Sequence, residues 1–247
     1  MCIFNIPVLL GKPYSSSSSI AFHNSVPAGS YTRHYIGTSQ NRVVKENIRV
    51  VTSMGKLRFA VSCSSNMNRS MEAHSFLQKR GFSVESFGSG SQVKLPGPTP
   101  DRPNCYDFGV ATYDFIYNDL KQKDPQLYTQ NGLLNMLDRN RRIKDMPQKF
   151  QHFSGKFDVI ICLEERVYDQ IVEDLQTRDT NEGDSVHVIN IDIQDNHEEA
   201  TIGALFVCDL CAKLEACEDL DNEIDEVLTE FEQNNSRRNI LHTICFY

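Results

Sequence analysis

No stretch of 18 or more apolar residues runs anywhere in these 247 residues, so no segment reads as a membrane-spanning helix. A long basic tract is missing too. Lys and Arg number 25 against 33 Asp and Glu, a net charge of −8, which argues against direct nucleic-acid binding through a charged face. Acidic residues are nearly absent from residues 1–53, where Glu46 stands alone among Lys12, Arg33, Arg42, Lys45 and Arg49 and the serine run Ser15–Ser19. Such a composition is shared by mitochondrial transit peptides. The simpler expectation is a disordered extension over 1–53 and a globular domain over 54–247, opening at Met54. Finally, Cys208-x2-Cys211 has no second Cys or His pair at zinc-ligand spacing, so it reads as the buried face of a helix. The eight cysteines are scattered along the chain and are expected to be free thiols in a reducing compartment.

What is present is one loop of strong chemical character. The apolar, partly β-branched run Leu57–Ser62 reads as a buried strand. Ser70–Arg80 reads as a helix closed by Gly81. Between them lies Cys63-Ser64-Ser65-Asn66-Met67-Asn68-Arg69, a Cys-x5-Arg spacing followed by Ser70. A strand-to-helix turn gathers backbone N–H groups at the positive end of the helix, which is an anion site. Arg69 would add a planar, two-pronged grip on a phosphate. Helix end, amides and guanidinium all favour the charged form of Cys63, a thiolate set for in-line attack on phosphorus and a phosphocysteine intermediate. Ser70 is placed to donate a hydrogen bond to that thiolate, and Asn66 is a residue type that tolerates left-handed backbone. Nothing in this chemistry requires a metal or cofactor.

The remainder alternates strands and helices, the pattern of a mostly parallel sheet covered on both faces. Strands are expected at Ser83–Phe87, Phe157–Leu163 and Val186–Ile191, with a last one at Ile240–Tyr247. Helices are expected around Tyr106–Gln122 and Gln126–Leu137, through Val167–Val172, from Glu198 onward, and over Asp219–Asn235, where Ile224, Val227, Leu228 and Phe231 form an apolar stripe. The proline-rich loop Lys94–Pro103 and the segment Tyr128–Asp138 are candidates for reading a peptide beside the phosphate. The fold class is therefore three-layer α/β.

The loop resembles that of the low-molecular-weight cysteine phosphatases. The segments CSSNMNRSMEAHSFLQKRGFSVESFGSG, VKLPGPTPDRPNCYDF, YTQNGLLNMLDRNRRIK, EERVYDQIVEDL, DIQDNHEEA and LHTICFY resemble more closely the Ssu-seventy-two family, from about Lys56 to Tyr247. That resemblance implies a low-molecular-weight phosphatase-like fold and removal of phosphate from Ser-Pro dipeptides of the RNA polymerase II C-terminal domain, chiefly the serine at the fifth heptad position. It further implies work in mRNA 3′-end processing and transcription, beside a symplekin-like scaffold, in the nucleus (with the cytoplasm also open). The family selects the cis Ser-Pro bond, a minor isomer of roughly 10–30% in free peptides, so a prolyl isomerase would speed substrate supply.

A serine alkoxide leaves poorly, so a proton donor must stand near the loop. The Asp-Pro-Tyr of tyrosine-directed relatives is absent. The polar turn after the strand Val186–Ile191 carries Asp192 and Asp195, and in open α/β sheets the carboxyl edge of the strands is where ligands bind. The resemblance implies Asp195 as the general acid, with Asp192 as the alternative. Either could instead cap the following helix. Asn68 stands where tyrosine-directed relatives carry a second cysteine, so no disulfide within the loop can shield Cys63 from oxidation. Two other readings compete: a tyrosine phosphatase of the low-molecular-weight type, and a non-catalytic phosphopeptide-binding scaffold.

Overall fold

A computed structural model describes residues 56–178, 183–235 and 239–247; the expectations for residues 1–53 lie outside the described residues. The first apolar run forms β1 (Arg58–Cys63), followed by α1 (Arg69–Lys79) and β2 (Ser83–Gly88). Gly81 takes φ 89° just past the end of α1, the conformation that lets the chain turn back into β2. A hairpin comes next, β3 (Val93–Leu95) and β4 (Asn104–Tyr106), then the short helices α2 (Tyr113–Lys123), α3 (Pro125–Gln130) and α4 (Leu133–Asn140). The chain returns through β5 (Val159–Cys162), α5 (Glu165–Thr177), β6 (Ser185–Ile191), α6 (His197–Ala216), α7 (Leu220–Asn234) and β7 (Ile240–Phe246).

The main sheet has the order β2-β1-β5-β6-β7, parallel except for β7, which runs antiparallel to β6 at one edge. All four residues of β5 are buried, as an apolar run covered on both faces requires. Phe59, Val61, Ile161 and Ile189 point to one face, where Leu77 of α1, Val207 and Leu214 of α6, and Leu228 of α7 cover them. Ala60, Ile160 and Val188 point to the other, against Val167, Ile171 and Leu175 of α5. The three-layer α/β expectation is met. Cys208 and Cys211 lie fully buried in the first of these cores, and burial pushes both thiols up.

A third core forms around α2, α3 and α4, joining Tyr113, Ile116, Leu120, Tyr128 and Leu137 to Met67 and Met71. Here the structure corrects two expectations. Tyr106 belongs to β4, and the helix starts seven residues later, where the Thr112 hydroxyl accepts the Phe115 N–H at 3.0 Å and so caps it. The single helix over Gln126–Leu137 is two helices, broken at Gly132 (φ 80°). A Cβ at Gly132 would sit 2.7 Å from His197 Nε2, so close approach and left-handed backbone together require glycine there.

Candidate active site

The carboxyl end of β1 delivers Cys63 to the rim of the sheet, and the next five residues wind into the N-terminus of α1. Asn66 adopts φ 53°, the single non-glycine residue with positive φ among the described residues. Its side chain stays in the loop: Nδ2 donates to Ser70 Oγ at 3.1 Å, and Oδ1 accepts the Gln148 N–H at 3.1 Å. Cys63 is buried, 3% exposed, with its Sγ 3.1 Å from Ser70 Oγ. Ser65 Oγ accepts the Lys94 N–H at 3.1 Å, which ties the loop to the β3–β4 hairpin. Ser64 lies half-buried at the rim and Met67 beneath the loop in the third core.

Arg69 lies almost wholly inside, 5% exposed. One terminal nitrogen donates to the carbonyls of Leu163 (3.0 Å) and Ile193 (2.8 Å), at the ends of β5 and β6. The other donates to Glu164 at 2.6 Å and reaches Asp195 at 3.5 Å. Burial works against the charged guanidinium, but Cys63, Asp195 and Glu164 outweigh it and raise the Arg69 pKa. Nε of Arg69 is buried without a protein partner, a donor left for a ligand to satisfy. Glu164 is the residue that sequence reasoning missed. It sits just after the apolar strand and before the helix, a position that places it at the same sheet edge as Cys63.

The turn after β6 separates its two aspartates. Asp195, 59% exposed, accepts Asn68 Nδ2 at 3.0 Å and faces Arg69, so it stands over the loop. Asp192 points elsewhere: it accepts the Glu165 N–H (3.0 Å) at the start of α5, and Asn190 Nδ2 (3.1 Å). Neither caps α6. That role falls to Asn196, whose side chain accepts the Glu199 N–H at 2.8 Å. One residue on, His197 Nε2 meets the Asn131 carbonyl at 3.0 Å and so links this turn to the break between α3 and α4. The β3–β4 hairpin borders a shallow hollow of about 490 Å³ lined by Lys94, Leu95, Pro96 and Pro98.

A buried thiol, a buried guanidinium and an exposed carboxylate 3.5 Å from that guanidinium, gathered at one strand-to-helix loop, make up a set suited to phosphoryl transfer through sulfur. Residues 57–247 match the model of the family described as Ssu72-like protein. Over 192 residues the chain is 65% identical to the RNA polymerase II C-terminal domain phosphatase ssup-72 of Caenorhabditis elegans, covering 78% of this chain and 98% of that one. Its identity to the Homo sapiens phosphatase SSU72 is 62% over 191 residues, 77% of this chain and 97% of the relative. Among solved structures, Drosophila melanogaster Ssu72 with Symplekin, bound to a cis peptidomimetic of the C-terminal domain phosphorylated at its fifth-position serine, matches with a TM-score of 0.75 and 50% identity. That match covers 78% of this chain and 100% of the other.

Proposed function

The chain belongs to the Ssu72-like family, and on that basis we propose that it is a protein serine phosphatase of the RNA polymerase II C-terminal domain, working through a phosphocysteine. The observation that carries this reading at the residue level is the convergence on one loop of Cys63, the buried Arg69 and Asp195 from a separate strand end.

The phosphoserine dianion enters the loop, where the backbone N–H groups and Arg69 Nε take its oxygens. The Cys63 thiolate attacks phosphorus, an S–P bond forms, and the P–O bond to serine breaks. Asp195 gives its proton to the departing serine oxygen, which could not otherwise leave. Water then attacks phosphorus. Asp195 takes the water's proton, the S–P bond breaks, and inorganic phosphate leaves. Ser70 Oγ, 3.1 Å from the sulfur, donates a hydrogen bond to the thiolate as it departs. Glu164 holds the Arg69 guanidinium flat against the sheet edge.

The substrate is a phospho-Ser-Pro segment in its cis form, which a prolyl isomerase would supply, and a symplekin-like scaffold is the partner. The Drosophila melanogaster relative in complex with Symplekin and a cis peptidomimetic supports both the partner and the cis geometry. A phosphatase of that substrate works in the nucleus. A phospho-Ser-Pro heptad peptide and the Cys63→Ser variant test the reading. The variant should bind the peptide without turnover, and phosphate release by it would overturn the assignment.

A further inference from the structure

Backbone N–H groups can converge on an anion only if the carbonyls of the same loop turn outward. Carbonyls turned into protein need donors of their own. In the first half of the loop those donors are backbone. Cys63 O accepts the Ser89 N–H at 3.1 Å and Ser64 O accepts the Gly90 N–H at 3.0 Å. A Cβ on residue 90 would lie 2.9 Å from Ser64 O, so this approach demands glycine.

The second half is held differently. Asn66 O accepts the Tyr113 hydroxyl at 2.7 Å. Met67 O accepts Asn140 Nδ2 at 2.8 Å and Arg139 Nη2 at 3.0 Å, and the same Arg139 nitrogen reaches Asn68 O at 3.4 Å. Tyr113 and Asn140 are fully buried. Arg139 is fixed in turn by an ion pair with Glu72 of α1 and by two bonds to Asn140 Oδ1, at 3.0 and 2.9 Å. The carbonyls of Asn66 and Met67 are thus turned outward by side chains from α2 and α4, while Asn68 O is held chiefly by the Glu72 N–H of α1 at 2.9 Å.

We propose that Tyr113, Arg139 and Asn140 are positioning residues for phosphoryl transfer: they hold the carbonyls of residues 66 and 67 outward, and so aim the following N–H groups at the phosphate. The helices α2–α4, a helical insertion between β2 and β5 of the main sheet, are then part of the anion site from behind, beyond any role in reading the peptide. Burial pulls the Arg139 guanidinium down to about 10, so its place here costs solvation, and the negative charge of Cys63 offsets part of that cost.

This inference rests on the phosphatase reading, so its test uses two probes that need no peptide: p-nitrophenyl phosphate as substrate and inorganic vanadate as inhibitor. If the wild-type chain neither hydrolyses the ester nor binds vanadate, the phosphatase reading fails. If the wild type does both, the variants decide. Tyr113→Phe removes one hydroxyl and keeps the packing, while Arg139→Lys keeps the charge but loses the planar fork that engages Met67 O, Asn140 and Glu72 together. Each should weaken vanadate inhibition and lower kcat/KM for the ester by about tenfold, the value of one unmade buried hydrogen bond. A purely structural role would lower the melting temperature and leave vanadate affinity of the folded protein unchanged. A role confined to reading the peptide would leave both the ester kinetics and vanadate inhibition at wild-type values. Either of those results, or Arg139→Lys behaving as wild type, overturns the proposal.

Discussion

The carboxyl edge of the parallel sheet and the helical insertion meet at the same loop but contribute to it in opposite ways. The sheet edge presents the reacting side: Cys63 from β1, Glu164 from the end of β5 backing Arg69, and Asp195 from the turn after β6. Strand ends in a parallel sheet point the same way, so residues far apart in sequence arrive together. The insertion presents Tyr113, Arg139 and Asn140, which reach the loop through its outward carbonyls. The difference teaches that an anion loop has two faces, and each can be assembled from a different part of the chain.

Breaking the sheet-edge side should give the largest effects. Cys63→Ser should lower phosphopeptide turnover by about 10⁴-fold or more, because no other group offers a nucleophile at that point. Steady-state release of phosphate checks it. Asp195→Asn should cost on the order of 10²–10⁴-fold on phosphoserine, where the leaving group must be protonated. On p-nitrophenyl phosphate the loss should be much smaller, since that leaving group needs little help, and a burst of p-nitrophenol should show the phosphocysteine building up. Equal losses on both substrates would remove Asp195 from the acid's place. Glu164→Gln leaves the Arg69 hydrogen bond but weakens it by removing the charge, with a fall of about tenfold in kcat/KM expected.

The two regions also differ in how far the sequence betrays them. The central strands announce themselves as short apolar runs, and Val159-Ile160-Ile161-Cys162 could hardly be anything but a central strand. The loop was legible as well, through the Cys63 to Arg69 spacing between a strand and a helix. Asp192 and Asp195 were not separable by pattern, since three residues in an irregular turn carry no periodicity. Only the folded chain shows one under the start of α5 and the other over the loop. The insertion was the least legible. Its helices are short, its break depends on Gly132 meeting His197 from α6, and the β3–β4 hairpin has only three residues per strand. Tertiary contacts decide such elements, and no local window contains them.

Lys144 sharpens the comparison through stability instead of rate. It lies between the two regions, donating to Ser86 O of β2 and, at 2.8 Å, to Gln148 Oε1. Burial pulls its ammonium down to about 7, with Glu85 and the charge of Cys63 acting against that. The folded-state value is below that of the unfolded chain, so unfolding takes up a proton between about pH 7 and the ordinary lysine value of 10.5. Stability should therefore rise as pH climbs through that window and be lost as pH falls back toward 7. Lys144→Met should flatten this slope and raise the melting temperature at pH 7 by several degrees. An unchanged slope in the variant would show that the ammonium is not held in the buried site.

The smallest effect concerns the aspartate that the fold uses for structure. Asp192 accepts the Glu165 N–H, one of the donors that the first turn of α5 cannot satisfy within the helix. Asp192→Ala should cost about 1 kcal/mol, the ordinary value of a helix cap, or ~2–4 °C in melting temperature for a domain of this size. Phosphopeptide hydrolysis by the folded variant should stay within about twofold of wild type, since a lost cap acts on the folded fraction and not on the transition state. Asp195→Asn should do the reverse, because its carboxylate is 59% exposed and its contacts are with Asn68 and Arg69 of the loop. Two carboxylates three residues apart would then separate cleanly, one read by calorimetry and the other by turnover. A large loss of turnover in Asp192→Ala, with the melting temperature unmoved, would exchange their roles.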